Sequence, residues 1–161
     1  MGKKTIHHPD LETLLAFNRE VVALTKEPHG YSEADGRKLV ELVGELETRA
    51  NNQDFDEAVV DKGAFLVFKL ASGQYFRAGN KRTALVAGLC FLSKNGYALD
   101  LRRPELVETV DRAGMAAAGL DDLYSVLKGG ATKAKVERKG WEQAIKAAVE
   151  ANRDFLTRLA S

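Results

Sequence analysis

Gln74-Tyr75-Phe76-Arg77-Ala78-Gly79-Asn80-Lys81-Arg82-Thr83-Ala84 sets a glycine, an amide and two adjacent bases where an apolar run begins. If that run is a helix, the unpaired N–H groups of its first turn and the positive end of its dipole face one spot, and anions bind there. Gly79 lets a ligand come close to the backbone. Arg82 adds a planar fork of donors that matches a phosphate, and Lys81 adds a mobile point charge. The chemistry on offer is the holding of a phosphate-bearing ligand. A plainer alternative makes Asn80 an N-cap with Lys81 and Arg82 in solvent, and for an isolated Gly-Asn-Lys-Arg the two readings stand level.

Such a loop needs a rigid frame, and apolar periodicity supplies one. Leu11, Leu14, Leu15, Val21 and Val22 recur at helical spacing from Pro9-Asp10 to Thr25, with Pro28-His29-Gly30 as the break. Ser32 and Asp35 resemble a shortened capping box, behind which Leu39, Leu42, Val43, Leu46 and Ala50 form one stripe. After the polar link Asn51–Asp54, Asp56 is expected to cap a segment that is apolar from Ala64 to Leu70 except at Lys69. Ser72-Gly73 ends it. A second nearly all-apolar helix, Thr83–Leu92, stops at Asn95-Gly96. Two buried helices therefore flank the polar loop.

Pro104 suits a first helical position, and Leu106, Val107, Val110 and Ala113 carry the pattern to Gly114. A brief helix follows around Asp121–Leu127. After Gly129-Gly130 a last helix, about 139–160, puts Trp141, Ile145, Ala148, Val149, Phe155, Leu156 and Leu159 on one face. Strand signals are scarce, so the expected class is all-α.

The composition fits a single domain over 1–161: 161 residues, 45% hydrophobic, 29% charged and only three prolines. Twenty-four basic side chains against twenty-three acidic ones leave +1, which calls for no DNA, RNA or anionic membrane partner. Cys90 lies in an apolar run and reads as a buried hydrophobe. The opening Met1–Ile6 lacks a secretory pattern, and no apolar run reaches the length of a membrane span, so a cytoplasmic location is expected. The basic stretch Lys128–Lys139 reads as a solvated linker.

Phe76 to Ala84, between two buried helices and followed by Phe91-Leu92-Ser93-Lys94-Asn95-Gly96-Tyr97, resembles the signature of the Fic/Doc family, His-Pro-Phe-x-Asp/Glu-Gly-Asn-Lys-Arg, which Doc toxins continue with Thr-Ala. The resemblance is closest over 56–101, with the C-terminal helix as an appended element. It implies a helical bundle around the motif helix. In active members it implies transfer of AMP or another phosphate-containing group from a nucleotide to a protein hydroxyl. Carried over position by position, it makes Phe76 the packing anchor of the loop, Gly79 and Asn80 the anion hole, and Lys81 and Arg82 the phosphate contacts. ATP or another nucleotide is the implied ligand, and a target protein or an antitoxin the implied partner.

Two positions depart from that signature. Gln74 stands where the family has its catalytic histidine, and an amide cannot accept a proton near neutral pH. Ala78 stands where the family has the acid that holds magnesium, so the side chain offers a cation no oxygen, and no metal ligand is assigned. Losing the base alone costs about a hundredfold to ten-thousandfold. His7, His8, His29, Asp54, Asp56 and Glu57 are the groups that could stand in. Only Arg49–Phe55 separates two helices where many members carry a β-hairpin flap, and the family's inhibitory pattern Ser/Thr-x-x-x-Glu-Gly/Asn is absent from the sequence. The expected function is a pseudoenzyme that binds a phosphate-bearing ligand, related to toxin–antitoxin systems; an enzyme with a borrowed base and an interaction scaffold are the alternatives.

Overall fold

The computed structural model describes residues 4–159. The helix that begins the bundle, α1 (Leu11–Thr25), starts where Asp10 turns its carboxylate onto Thr13, accepting from the backbone N–H at 2.9 Å and from Oγ1 at 2.8 Å. It ends at Lys26, whose φ of 59° is left-handed. Then follow α2 (Glu33–Thr48), α3 (Phe55–Ser72), α4 (Asn80–Lys94), β1 (Tyr97–Ala98), α5 (Pro104–Gly114), α6 (Leu120–Gly130), β2 (Thr132–Lys133), α7 (Trp141–Ala151) and α8 (Arg153–Arg158). The all-α expectation holds. Among the described residues the only sheet is the two-residue antiparallel ladder that sets Tyr97 opposite Lys133.

α4 is the axis of the bundle, packed upon by α1, α3, α5 and α7. Its Leu85, Val86, Phe91 and Leu92 are essentially fully enclosed, each worth roughly 1.5–3 kcal/mol of burial. That outweighs the cost of about 1 kcal/mol for Gly88 inside the helix. Gly88 has its own reason, since a Cβ there would come within 2.6 Å of Val67 Cγ2 and force α3 and α4 apart. Cys90 is enclosed in the same core, and burial pushes its thiol up to about 12, which keeps it a neutral hydrophobe.

Four local expectations are corrected. Asp54, not Asp56, occupies the N-cap position of α3; Asp56 sits in the first turn, where its carboxylate accepts from the Tyr97 hydroxyl and pairs with Lys133 at 3.6 Å. The Ser32 box is half-formed: Ser32 Oγ accepts from Asp35 N–H at 3.0 Å, but the Asp35 carboxylate returns to the Ser32 hydroxyl and not to its backbone. α2 stops at Thr48, and Ala50 lies beyond it at a φ of 61°, because the buried Lys62 ammonium takes the Leu46 and Glu47 carbonyls at 2.6 and 3.2 Å and closes the helix there. The last helix is two. The chain breaks at Asn152, whose side-chain amide bonds the Ala148 carbonyl at 2.9 Å, and α8 turns away from α7.

Asp10→Ala is expected to lower unfolding free energy by about 1 kcal/mol at neutral pH. The Thr13 N–H holds the Asp10 carboxyl below its ordinary value. Its contribution is therefore present above the carboxylate range and lost as pH falls through the folded value. Urea titrations of both proteins, at neutral pH and in acid, should show the gap and then its disappearance.

Candidate functional site

The motif loop is the turn between α3 and α4. Gly73 closes α3, with its N–H on the Lys69 carbonyl at 2.8 Å, and Gln74 reverses the chain at a φ of 52°. Tyr75 and Phe76 then dive into the core. Burial, followed by the charges of Glu45, Asp35 and Glu41, pushes the Tyr75 phenol up to about 12, so it stays neutral. Its ring is almost wholly enclosed.

Asn80 is not an N-cap. Gly79 holds that position at a φ of 75°, and Asn80 is the first helical residue. Its side chain folds back over the loop: Oδ1 accepts from Phe76 N–H at 3.1 Å and Nδ2 donates to the Phe76 carbonyl at 2.8 Å. This two-point clamp fixes the loop from within. Nδ2 also lies 3.4 Å from Gln74 Oε1, and Gln74 Nε2 donates to the Ala71 carbonyl at 3.1 Å. The glutamine in the histidine position thus ties the loop to the end of α3.

Gly79 is sterically required. A Cβ there would stand 3.0 Å from Val22 Cγ1, on a backbone in the left-handed region. The Thr83 N–H donates to the Gly79 carbonyl at 2.8 Å and starts the helical ladder. The amides of Asn80 and Lys81 precede the first carbonyl such a ladder can offer, so the ladder itself does not use them.

Asn18 holds the loop from outside. Fully enclosed, its Nδ2 donates to the Ala78 carbonyl at 2.8 Å and to Thr83 Oγ1 at 3.1 Å, and its Oδ1 lies 3.0 Å from His29 Nδ1. With Nδ2 facing two acceptors, Oδ1 must accept, so His29 carries its proton on Nδ1. Next along the chain, the Gly30 carbonyl accepts from Arg77 N–H at 2.9 Å. Asn18 is not among the residues that the motif singles out. The available signal was an amide on the apolar stripe of the first helix, in register with Leu14 and Val22.

A cavity of about 370 Å³ opens on the loop, lined by Gln74, Ala78, Gly79, Asn80, Lys81 and Arg82 together with Glu27, Arg77, Asp111 and Met115. The two basic motif residues are already engaged. Lys81 Nζ lies 2.9 Å from Asp111 Oδ1 on α5. Arg82 is buried: its Nε donates to the Leu156 carbonyl at 2.8 Å, Nη2 donates to the Leu159 carbonyl, and Nη1 pairs with Glu27 at 3.3 Å. The broken C-terminal segment is what brings those carbonyls over the arginine.

The candidate substitutes for the missing base lie elsewhere, with one exception. His7 bonds Asn95 past the C-terminal end of α4, at 2.7 Å from N–H to Oδ1. His8 faces the Glu47–Phe55 side, and Asp54, Asp56 and Glu57 sit at the start of α3. That is the far end of an 18-residue helix, about 27 Å from the loop. His29 alone reaches the motif, through Asn18, and its ring stands outside the cavity lining. Among the described residues no cluster of His, Cys, Asp and Glu could hold a metal ion.

A buried helix pair joined by a glycine–asparagine–lysine–arginine motif, with the asparagine clamping the turn and the helix start facing a cavity, defines the helical module at the centre of this fold. The model of the Fic/DOC family matches residues 9–92, and the chain belongs to that family. No curated protein matches it. The matched span ends within α4, so Asp111 and the α8 carbonyls, which engage Lys81 and Arg82, come from chain beyond it.

Asn18→Ala strands the Ala78 carbonyl and the Thr83 hydroxyl, and should cost about 1–3 kcal/mol of stability. Denaturant titration measures that cost. Faster amide exchange confined to the motif loop and the start of α4 would show that the loosening is local.

Proposed function

We propose that this Fic/Doc protein is a pseudoenzyme that holds a nucleotide or another phosphate-bearing ligand at Gly79–Arg82 and does not transfer it. The observation that carries this reading is the Asn80 clamp. It holds the loop through the motif's own side-chain amide, while the residue in the histidine position spends its amide on Ala71 and Asn80. A glutamine so placed can orient a ligand by hydrogen bonding but cannot take a proton from a hydroxyl. Ala78 offers magnesium no side-chain oxygen at the position where the family has its acid, so phosphoryl transfer loses the ligand that would place the neutralising charge there. What remains is recognition, by backbone amides, the helix dipole and the surrounding cations.

A binder without turnover suits a sensor or decoy role in a toxin–antitoxin-like system, with an antitoxin or a former target as its protein partner and the cytoplasm as its setting. The absence of a helix long and apolar enough to cross a membrane among the described residues is compatible with that setting.

Calorimetric titration with nucleotides, with and without magnesium, tests the reading. Binding that persists in a chelator is expected; no binding to a folded sample would overturn it. Restoring the two lost positions probes the same site from the other side. His is at home in the left-handed backbone that Gln74 adopts at a φ of 52°, so Gln74→His with Ala78→Asp should fold. Weak self-labelling from a labelled nucleotide is expected from the double variant and none from the parent; labelling of the parent would return the protein to the enzymes.

A further inference from the structure

Among the described residues, three cations and two carboxylates line the motif cavity: Arg77, Lys81 and Arg82 against Glu27 and Asp111. Two of the cations face a carboxylate, Lys81 at 2.9 Å from Asp111 and Arg82 at 3.3 Å from Glu27. Arg77 faces none. Among the described residues its guanidinium makes no hydrogen bond or ion pair, and the side chain is exposed at the cavity mouth.

The side chain is nonetheless seated. Arg77 N–H donates to the Gly30 carbonyl at 2.9 Å, and the stem crosses directly over the Gly30 α-carbon. A Cβ on residue 30 would stand 3.2 Å from both Cδ and Nε of Arg77. The bare backbone of the segment after α1 is therefore the platform on which this arginine rests.

Building on the binding reading above, we propose that Arg77 is the principal charge contact of the ligand, and that the cavity takes a phosphomonoester of mononucleotide size without a metal ion. The charge balance supports this assignment. One net positive charge from the lining, plus the roughly half charge of a helix N-terminus, comes close to the charge of about −1.5 to −2 on a phosphate monoester. A triphosphate exceeds it, and the means to recruit a divalent cation are few: position 78 is alanine, and the Asp111 and Glu27 carboxylates already face Lys81 and Arg82. Arginine is the suitable residue for the task, because its fork bonds two phosphate oxygens at once. Ala71, Val110 and Met115 form the apolar wall for the organic part, and Met115, 66% exposed, offers a polarizable thioether to an aromatic base.

The test is calorimetric titration in a chelator with AMP, ATP and inorganic phosphate, using the wild-type protein, Arg77→Ala, Arg77→Lys, Gly30→Ala and Asp111→Asn. AMP should bind more tightly than ATP. Arg77→Ala should weaken AMP about tenfold or more with the unfolding midpoint unmoved, since an exposed side chain is removed. Arg77→Lys, which keeps the charge and loses the fork, should recover only part of the affinity. Gly30→Ala should weaken AMP a few-fold by lifting the arginine from its seat, and Asp111→Asn, which frees Lys81, should narrow the gap between AMP and ATP. Unchanged AMP affinity in Arg77→Ala, or ATP as the tightest ligand, overturns this assignment and leaves the binding reading standing. Inorganic phosphate binding as tightly as AMP overturns the apolar wall. No binding of any nucleotide by the wild-type protein overturns the binding reading itself, and this inference with it.

Discussion

One enclosed amide fixes the relation between the frame and the loop. Asn18 has two donors and an acceptor in a place without water, and each must find a partner or cost about 1–3 kcal/mol. The partners it finds belong to three different parts of the chain: the Ala78 carbonyl in the loop, the Thr83 hydroxyl in the first turn of α4, and the His29 ring in the segment after α1. Satisfying one side chain thus sets α1, the loop, α4 and the 28–31 segment in a single arrangement. Gly79 must then lie against Val22 with no room for a Cβ, and Arg77 must lie along Gly30.

Electrostatics follows from that arrangement. The helix start is positive whatever surrounds it, but the cations beside it are held at different degrees of readiness. Arg82 is sunk among carbonyls of the C-terminal segment and paired with Glu27, and Lys81 leans on Asp111. Two of the three cations at the cavity thus face a carboxylate, whereas among the described residues Arg77 faces none.

The helices were legible because each buries one stripe, and a stripe of period 3.6 is visible in the residues themselves. α1, α5 and the pair around the motif were readable for this reason, down to Pro104 at the first position of α5. Ends were less legible where a distant group decided them. The Lys62 ammonium, reaching back from α3 to the last carbonyls of α2, closes that helix before Ala50, and a sequence stripe carries no mark of it. Asp56 has the composition of a cap, yet Tyr97 and Lys133 claim its carboxylate from the ladder. Asn152 breaks a stripe that looks continuous because its own amide competes for the Ala148 carbonyl.

The sequence by itself determined the helical class, the family, and which chemical groups occupy the motif positions, because these depend on residue type and local spacing alone. That Gln74 and Ala78 replace a base and an acid follows from the sequence read against the family signature. Only the tertiary structure decided which of the motif's charges are engaged and by whom, since Asp111, Glu27, Gly30 and the Leu156 carbonyl lie between 30 and 74 residues of chain away from their partners. Those distances are closed by packing, and packing obeys the shapes and hydrogen-bond needs of all the helices at once.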